Sequence, residues 1–303
     1  MITEKMAGDL GLKTSFIKSL SQGASHAYKT YTIPKRGGGE RLIEHPSQQL
    51  KALQRWYLQY VLPSFPAHPA AMAYRKQTSI FDNASIHADS KYLLRMDFRN
   101  FFPSIVESDL KAYIGRRATL FEAWTPFDIE IFCAIALRHS RLTIGAPTSP
   151  TLSNILCFDM DSQLSELCAK HGVNYTRYAD DLFFSTSQAN VLITVEAEVE
   201  IVVSGLVLPA HLKINSDKTR HSSKRRTRRV TGIILGSDSK PHVGRALKRK
   251  IRSLIFSVDS LDASSRASLS GLLSYAVGFE SDFMNSLIMK YGYAQVRKAQ
   301  FPK

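Results

Sequence analysis

The segment from residue 174 to residue 187 most strongly constrains the fold of this chain, because it reads as two short strands around an acidic turn. Tyr175–Tyr178 precedes the turn, Leu182–Ser185 follows it, and Ala179-Asp180-Asp181 lies between them. Apolar and aromatic runs on both sides of a turn of small and acidic residues are typical of a β-hairpin. The segment therefore predicts a hairpin whose tip carries two adjacent carboxylates.

A third aspartate lies at the end of another predicted strand. Residues 91–98 alternate between two faces, which predicts a half-buried strand with Asp97 near its carboxyl end. Asp97, Asp180 and Asp181 offer the oxygen donors that Mg²⁺ prefers, and two ions on shared carboxylates can drive nucleotidyl transfer. Aspartate is also common in hairpin turns, so these residues alone leave a purely structural role open.

Positive charge is concentrated in one block of the sequence. The whole chain has 40 lysines and arginines against 26 acidic residues, a net charge of +14. Residues 213–252 hold fourteen of the basic residues and two aspartates, a net +12, which leaves +2 for the other 263 residues. Such a block indicates a polyanionic partner, either nucleic acid or an anionic membrane. Because Val230–Leu235 within it reads as a strand and not as an amphipathic helix, nucleic acid is favoured.

The sequence also predicts the cellular compartment of the protein and the oxidation state of its cysteines. It has no apolar run of the roughly 18 residues that a spanning helix needs and no apolar signal-peptide segment at its start, so we expect a cytoplasmic protein without a membrane partner. Cys133, Cys157 and Cys168 occur in mostly apolar contexts without zinc-ligand spacing. They are predicted to be reduced core residues.

The rest of the sequence predicts further helices and one more hairpin, so the chain is expected to mix α and β structure. Residues 1–22 are predicted to be helical with a break near Gly11, and 28–44 to form a hairpin with a glycine-rich turn carrying Lys35, Arg36 and Arg41 near its tip. The loop from Gly145 is predicted to open a helix that Ser149 caps. Helices are predicted over 245–258, 264–277 and 282–297, which would form a small helical lobe at the carboxyl end.

Two motifs resemble those of a known family. Tyr178-Ala179-Asp180-Asp181 resembles the polymerase signature of reverse transcriptases, and Met96–Phe102 is similar to that family's first aspartate motif, in the same order. The resemblance implies an α+β right-hand polymerase. Its fingers would span 1–90, its palm 91–240 with an antiparallel sheet and with fingers-associated helices at about 105–145, and its helical thumb 241–303.

The resemblance also implies site residues. Asp97 and Asp180 would be the main ligands of two Mg²⁺ ions, or of Mn²⁺ in their place, with the Phe98 carbonyl assisting and Asp181 as the third carboxylate. Phe102 would be the aromatic gate that selects deoxynucleotides, although a buried core phenylalanine is an open alternative. The further nucleotide-binding residues that it implies are Lys35, Arg41, Gly145, Pro147 and Lys218.

A narrower resemblance concerns Asn83–His87 and Val230-Thr231-Gly232, which look like motifs of retron reverse transcriptases. His87 would contact RNA or organise the palm. The candidate nucleic-acid contacts are Asn83, His87, Arg225, Arg226, Arg228, Arg229, Val230, Thr231, Gly232, Arg245, Lys248, Arg249 and Arg252. Two positions depart from the family, since Ile144 stands where Gln is common and Ala73 where Gly is common. The Ile144 change puts nucleotide handling there in doubt.

By this resemblance, the chain would copy its own structured noncoding RNA, using deoxynucleoside triphosphates and starting from the 2′-hydroxyl of a guanosine. The product would be a single-stranded DNA branched from the RNA, with an implied antiphage role beside an effector protein. Three alternatives remain open: a reverse transcriptase primed from an ordinary 3′ end, a noncatalytic RNA-binding scaffold, and a nucleotidyl cyclase. The intact aspartates disfavour the scaffold, and the basic block disfavours the cyclase.

Overall fold

The computed structural model describes residues 1–35 and 38–301. The strands are β1 (Tyr28–Pro34), β2 (Glu40–Pro46), β3 (Tyr92–Asp97), β4 (Asn174–Tyr178), β5 (Asp181–Thr186), β6 (Arg220–Ser223), β7 (Arg228–Val230), β8 (Ile233–Leu235) and β9 (Pro241–His242). The helices are α1 (Ile2–Leu10), α2 (Thr14–Gln22), α3 (Gln48–Tyr60), α4 (Ile80–Ile86), α5 (Glu107–Arg116), α6 (Pro126–Ala136), α7 (Thr148–Leu156), α8 (Phe158–Lys170), α9 (Val191–Ser204), α10 (Arg245–Phe256), α11 (Ala263–Phe279), α12 (Ser281–Tyr291) and α13 (Tyr293–Gln300).

The strands associate in three arrangements. β1 and β2 form an antiparallel hairpin in which Ile33 lies opposite Arg41. A four-stranded sheet has the strand order β4-β5-β3-β6, and a smaller antiparallel sheet has the order β7-β8-β9. Because β4 and β5 are joined by the two residues Ala179 and Asp180 alone, they run antiparallel and confirm the predicted acidic hairpin.

Interleaved segments of the chain build two compact units. The first consists of Met1–Thr78, Leu94–Phe184 and Asn190–Arg220, and the second of Ser79–Leu93, Ser185–Ala189 and the chain from His221 onward. The division into fingers, palm and thumb with limits at residues 90 and 240 stays a prediction.

Each unit has its own core. In the first unit, Tyr57 on α3 and Phe132 on α6 are fully buried with ring centroids 4.7 Å apart. In the second unit, Ile251, Leu273 and Leu287 bring α10, α11 and α12 together. The sequence therefore places its apolar helix faces inward, as their spacing predicts.

The three cysteines are free and buried, as predicted. Burial raises the pKa of Cys133, Cys157 and Cys168 to about 12 in each case, so the thiols stay protonated and unreactive. Within residues 1–35 and 38–301, no helix carries an apolar stretch long enough to span a bilayer.

Two local predictions were wrong. Val230–Leu235 is not one strand, because Thr231 and Gly232 have φ values of 46° and 91° and form a two-residue hairpin turn between β7 and β8. Ser149 does not cap its helix. Pro147 already has helical dihedrals, so α7 begins at Thr148, and the Ser149 hydroxyl instead accepts a hydrogen bond from the Thr143 amide at 3.2 Å.

Two long predicted helices are each divided. The helix predicted after the Gly145 loop breaks at Cys157 into α7 and α8. The helix predicted over 282–297 breaks at Gly292, whose φ of 81° is outside the helical range, and so becomes α12 and α13. Apolar spacing continues through both breaks, which is why it did not reveal them.

Candidate active site

The ends of adjacent strands bring the three aspartates together in the first unit. Asp97 is the last residue of β3, Asp181 is the first residue of β5, and Asp180 lies in the turn before it. The Phe98 amide donates to the Asp180 carbonyl at 3.1 Å, which ties the end of β3 to the turn. The sheet therefore brings Asp97 close to Asp180 and Asp181, although more than eighty residues separate them in the sequence.

Burial and mutual repulsion shape the charge of this cluster. Burial, and then the Asp97 carboxylate, raise the pKa of Asp180 above its usual range. Burial also raises the pKa of Asp181 to about 6, although the Arg95 guanidinium opposes that shift. Burial and mutual repulsion make the ionised forms of these carboxylates costly, so the cluster is electrostatically suited to binding positive charge.

Two cations of the chain itself already contact the cluster. The Lys218 ammonium lies 2.9 and 3.0 Å from the two carboxylate oxygens of buried Asp97. Arg95, on β3, donates from Nε and Nη2 to Asp181 Oδ1 at 3.1 and 2.8 Å. Lys218, predicted only from resemblance, is thus placed at the centre of the site, whereas Arg95 was missed by the sequence reasoning.

The carboxylate oxygens at this site are of the donor type that a divalent ion prefers. Among the described residues, no group of three or more His, Cys, Asp or Glu side chains is arranged as a metal site. The carboxylates of Asp97 and Asp180 are nevertheless hard oxygen donors whose repulsion a bound Mg²⁺ would relieve. The Phe98 side chain is buried, so any contribution from this residue would come from its backbone carbonyl.

An aromatic pair lies beside the aspartates. The rings of Phe102 and Tyr74 have centroids 6.4 Å apart, and Phe102 is half-buried while Tyr74 is 49% exposed. Tyr74 has a φ of 61°, which an aromatic residue rarely adopts. Burial, and then the Asp180 charge, raise the pKa of the Tyr74 hydroxyl, so this hydroxyl is within electrostatic range of the acidic cluster. Sequence reasoning noted this segment only for Ala73 and missed Tyr74.

The hairpin β1–β2 supplies the predicted phosphate-binding cations. Lys35 and Arg41 are exposed at its tip end, and the Lys35 amide donates to the Gly39 carbonyl at 2.9 Å. Arg41 is close enough to the acidic cluster to oppose the rise in the Asp180 pKa. Arg36, named with them from the sequence, lies outside the described residues.

The loop at Gly145 approaches the base of this hairpin closely. The Glu44 amide donates to the Ile144 carbonyl at 2.8 Å, and Arg138 pairs with the buried Glu44 carboxylate. Gly145 has a φ of 125°, and a Cβ there would lie 2.5 Å from the Glu44 carbonyl oxygen. Only glycine satisfies both conditions, and Pro147 then starts the helical dihedrals of α7.

A buried polar network supports the turn that carries Asp180. Arg177, on β4, and Asp161, on α8, form an ion pair whose side chains are both 0% exposed. Burial alone would lower the Arg177 pKa, but the Asp161 carboxylate outweighs it and holds the guanidinium charged. Sequence reasoning assigned Arg177 only to a strand. The signal for it was an arginine inside a predicted strand directly before the acidic turn.

The predicted nucleic-acid contacts divide between the surface and the interior of the second unit. Arg225, Arg226, Arg229, Arg245 and Arg249 are exposed. Lys248 and Arg252 are half-buried, with their charged groups 5.3 and 5.2 Å from the centre of the Phe283 ring, and Lys248 also pairs with Glu280. The five exposed arginines therefore form the solvent-facing part of the basic block, and Lys248 and Arg252 lie partly beneath the surface.

Arg228, Val230, Asn83 and His87 lie in the interior, which corrects the prediction that their side chains reach nucleic acid. Arg228 donates to the carbonyls of Ala88, Ser90 and Gly236, and is 1% exposed. Its strand alternates inward and outward, so Arg228 shares the buried face of Val230.

His87 has a structural environment as well. Its Nδ1 lies 2.7 Å from the Ser185 hydroxyl oxygen, and burial lowers its pKa to about 3. The ring is therefore neutral at physiological pH and offers no positive charge to phosphate. Of the two roles that the sequence left open, the structure favours the organising one. Thr231 is half-buried, with its hydroxyl 3.4 Å from the Ile80 carbonyl, and Gly232 is exposed.

Comparison with known proteins shows the family of this chain. The family model described as reverse transcriptase (RNA-dependent DNA polymerase) matches residues 33–235. The Retron Ec83 reverse transcriptase of Escherichia coli is 34% identical over 91% of this chain and 90% of its own length. The Retron Ec86 reverse transcriptase of the same species is 30% identical over 94% of this chain and 88% of its own. This chain belongs to the retron reverse transcriptases.

Solved structures agree with the fold of this reverse transcriptase. A telomerase from Candida albicans has a TM-score of 0.51 at 12% identity over 90% of this chain, which spans 60% of the telomerase chain. A foamy viral protease-reverse transcriptase has a TM-score of 0.50 at 15% identity, also over 90% of this chain, which spans 43% of the viral one. The predicted right-hand polymerase fold is confirmed, and the enzyme is an RNA-directed DNA polymerase.

Proposed function

We propose that this enzyme copies part of a structured noncoding RNA that it binds, beginning at the 2′-hydroxyl of a guanosine in that RNA. The product is a single-stranded DNA branched from its template RNA. The observation that carries the proposal is the joining of Asp97 and Asp180 at neighbouring strand ends, in a chain similar to retron reverse transcriptases over nearly its whole length.

The acidic cluster performs the reaction in this proposal. Asp97 and Asp180 would hold two Mg²⁺ ions, or Mn²⁺ in their place, with Asp181 as the third carboxylate. When bound, the ions supply the positive charge that activates the attacking hydroxyl and stabilises the leaving pyrophosphate. Lys218 exchanges its contact with Asp97 for the leaving phosphates, whose developing negative charge it offsets.

The surrounding residues select and orient the deoxynucleoside triphosphate. Lys35 and Arg41 bind its triphosphate from the hairpin β1–β2. Gly145 and Pro147 shape the loop that positions template and nucleotide, and Ile144 offers an apolar surface there. Phe102 crowds the position of a ribose 2′-hydroxyl, so that deoxyribose is preferred.

The basic block binds the RNA backbone. Arg225, Arg226, Arg229, Arg245 and Arg249 are exposed cations on neighbouring parts of the sequence, and each phosphate contact releases counterions. Thr231 and Gly232 shape the turn directly after β7, the strand that carries Arg229. Arg228, the buried arginine of the block, has a different role, because its hydrogen bonds hold the second unit together.

Arg229 and Arg228 are adjacent residues with opposite expected effects. Arg229→Ala is expected to lower the slope of log affinity for RNA against log salt by about 1, without changing the melting temperature. Arg228→Ala removes the donor for two buried carbonyls and one half-buried carbonyl, and is expected to lower the free energy of unfolding by about 2–3 kcal/mol. Filter binding at several salt concentrations and thermal unfolding measure both, and equal effects of the two variants on the salt slope contradict this assignment.

The proposal extends to a cellular setting. We propose that the enzyme acts in the cytoplasm, with its RNA, the DNA copied from it and an effector protein encoded alongside, in defence against phage.

Priming can be tested with the RNA that copurifies with the enzyme. Its 3′ end is blocked with a dideoxynucleotide, and labelled deoxynucleotides and Mg²⁺ are added. Priming from an internal 2′-hydroxyl still attaches label to the RNA, whereas an enzyme primed from an ordinary 3′ end loses its product. A noncatalytic scaffold gives no product with blocked or free RNA. A nucleotidyl cyclase converts triphosphates without RNA.

A further inference from the structure

One buried guanidinium holds two backbone segments of the active site. Arg177 donates from Nε to Asp161 Oδ1 at 2.8 Å and from Nη2 to Asp161 Oδ2 at 2.6 Å. This two-point contact fixes the plane of the guanidinium, because both groups are planar and neither is exposed. The remaining nitrogen, Nη1, is then directed towards the acidic turn.

Nη1 makes two further contacts. It donates to the carbonyl oxygen of Ala179 at 3.2 Å and to Asn154 Oδ1 at 3.1 Å. The Asn154 amide in turn donates from Nδ2 to the carbonyl oxygen of Ala73 at 2.8 Å. A continuous series of hydrogen bonds thus joins the carbonyl of Ala179 to the carbonyl of Ala73.

Each of these carbonyls immediately precedes a residue of the active site. Ala179 comes before Asp180 and has a φ of 58°, and Ala73 comes before Tyr74, whose φ is 61°. Backbone bonds repeat the connection, because the Arg177 amide donates to the Ala70 carbonyl and the Met72 amide donates to the Arg177 carbonyl. Left-handed backbone at two non-glycine residues persists only where its surroundings fix it, and the network provides that fixation.

The cost of burying this ion pair also indicates a positioning role. Removing two charges from water is unfavourable, and apolar residues of similar volume would often stabilise a core as well or better. What the ion pair provides instead is a defined direction for Nη1. Tyr74 is exposed although it is aromatic, and its ring lies against Phe102.

We propose that Arg177 is a positioning residue for polymerisation and that Tyr74 is a second residue that determines sugar specificity. Held by Asp161, Arg177 fixes the carbonyl of Ala179 and thereby the position of Asp180. Through Asn154 it fixes the carbonyl of Ala73 and thereby the ring of Tyr74. Tyr74 and Phe102 together form the wall against which the sugar of the incoming nucleotide is placed. This inference rests on the proposed role of Phe102 as a sugar gate.

Three variants separate the two arms of the network. Asn154→Ala breaks only the arm to Tyr74, so the preference for deoxynucleotides over ribonucleotides is expected to fall about 10-fold, with kcat for deoxynucleotides within about 3-fold of wild type. Arg177→Lys keeps the charge but loses the fork, and kcat is expected to fall about 100-fold at unchanged RNA affinity. Tyr175→Phe is the matched control, because the Tyr175 hydroxyl donates to Asp161 at 2.8 Å but contacts neither carbonyl.

The assay uses an ordinary DNA primer annealed to an RNA template, so that it does not depend on priming from a 2′-hydroxyl. Thermal unfolding is measured in parallel, and Tyr175→Phe is expected to change only the melting temperature. If Arg177→Lys does not fold, Asn154→Ala alone decides. Wild-type selectivity in Asn154→Ala overturns the inference while leaving the sugar gate intact. A wild-type enzyme that incorporates both sugars equally overturns the inference and the role of Phe102 together.

Discussion

Asp180→Ala is expected to abolish DNA synthesis while leaving the affinity for RNA unchanged. Asp180 lies at the tip between β4 and β5, where burial and the Asp97 charge raise its pKa. Removing this carboxylate takes away one of the two groups proposed to hold Mg²⁺, and charge stabilisation of this kind is worth several kcal/mol in the transition state. We expect the rate of deoxynucleotide incorporation to fall by about 10³-fold or more.

The matched control for this prediction is Asp217→Ala. Asp217 pairs with Arg99 at 3.0 Å and its side chain is 84% exposed, so its removal is expected to leave the rate of synthesis near that of wild type. Both variants are compared by primer extension with Mg²⁺ and by RNA binding without it. Incorporation by Asp180→Ala within about 10-fold of wild type would contradict the assignment of Asp180.

Gly145→Ala is expected to cause the second large loss. An added Cβ would lie 2.5 Å from the carbonyl oxygen of Glu44 and 2.9 Å from its carbonyl carbon, and a φ of 125° is strained for any side chain. Because both atoms of the collision belong to backbone, the loop itself has to move. We expect a loss of about 2–4 kcal/mol in the free energy of unfolding. The KM for deoxynucleotides is expected to rise about 10-fold or more.

Gly115→Ala provides the comparison at a helical glycine. Gly115 lies in α5, and an added Cβ there meets no atom within 4 Å. This substitution is expected to stabilise the protein by about 0.5–1 kcal/mol through higher helix propensity, with unchanged KM. Steady-state kinetics and thermal unfolding test the pair. A wild-type melting temperature and KM for Gly145→Ala would show that the loop does not depend on this close approach.

Local patterns in the sequence predicted the elements that carry the reaction. Alternation of apolar residues predicts β3, and the residue types of the acidic turn and its flanks predict β4 and β5. These features need only neighbouring residues, so a single sequence is sufficient to find them. Recognition of the family then placed Lys218, which the structure brings into contact with Asp97.

The parts that were missed depend on contacts between distant elements. The residue patterns of α8 and β4 do not reveal that Asp161 and Arg177 pair, because the periodicity of a helix is independent of that of a strand. Arg228 was misplaced because its neighbours in a dense basic run are exposed. The alternation of β7 did contain the signal, since residues 228 and 230 share one face. The turn at Thr231 was missed because a β-branched residue rarely adopts positive φ.

Isolation of the enzyme with its bound nucleic acid tests the proposed function most directly. The complex is purified from cells that express the wild-type chain or Asp180→Ala, treated with RNase, and the remaining nucleic acid is sequenced and analysed for a branch. We predict a short single-stranded DNA that carries an RNA remnant linked through a guanosine 2′-oxygen, present with wild type and absent with Asp180→Ala. Recovery of host RNA alone, with no attached DNA, would contradict the account.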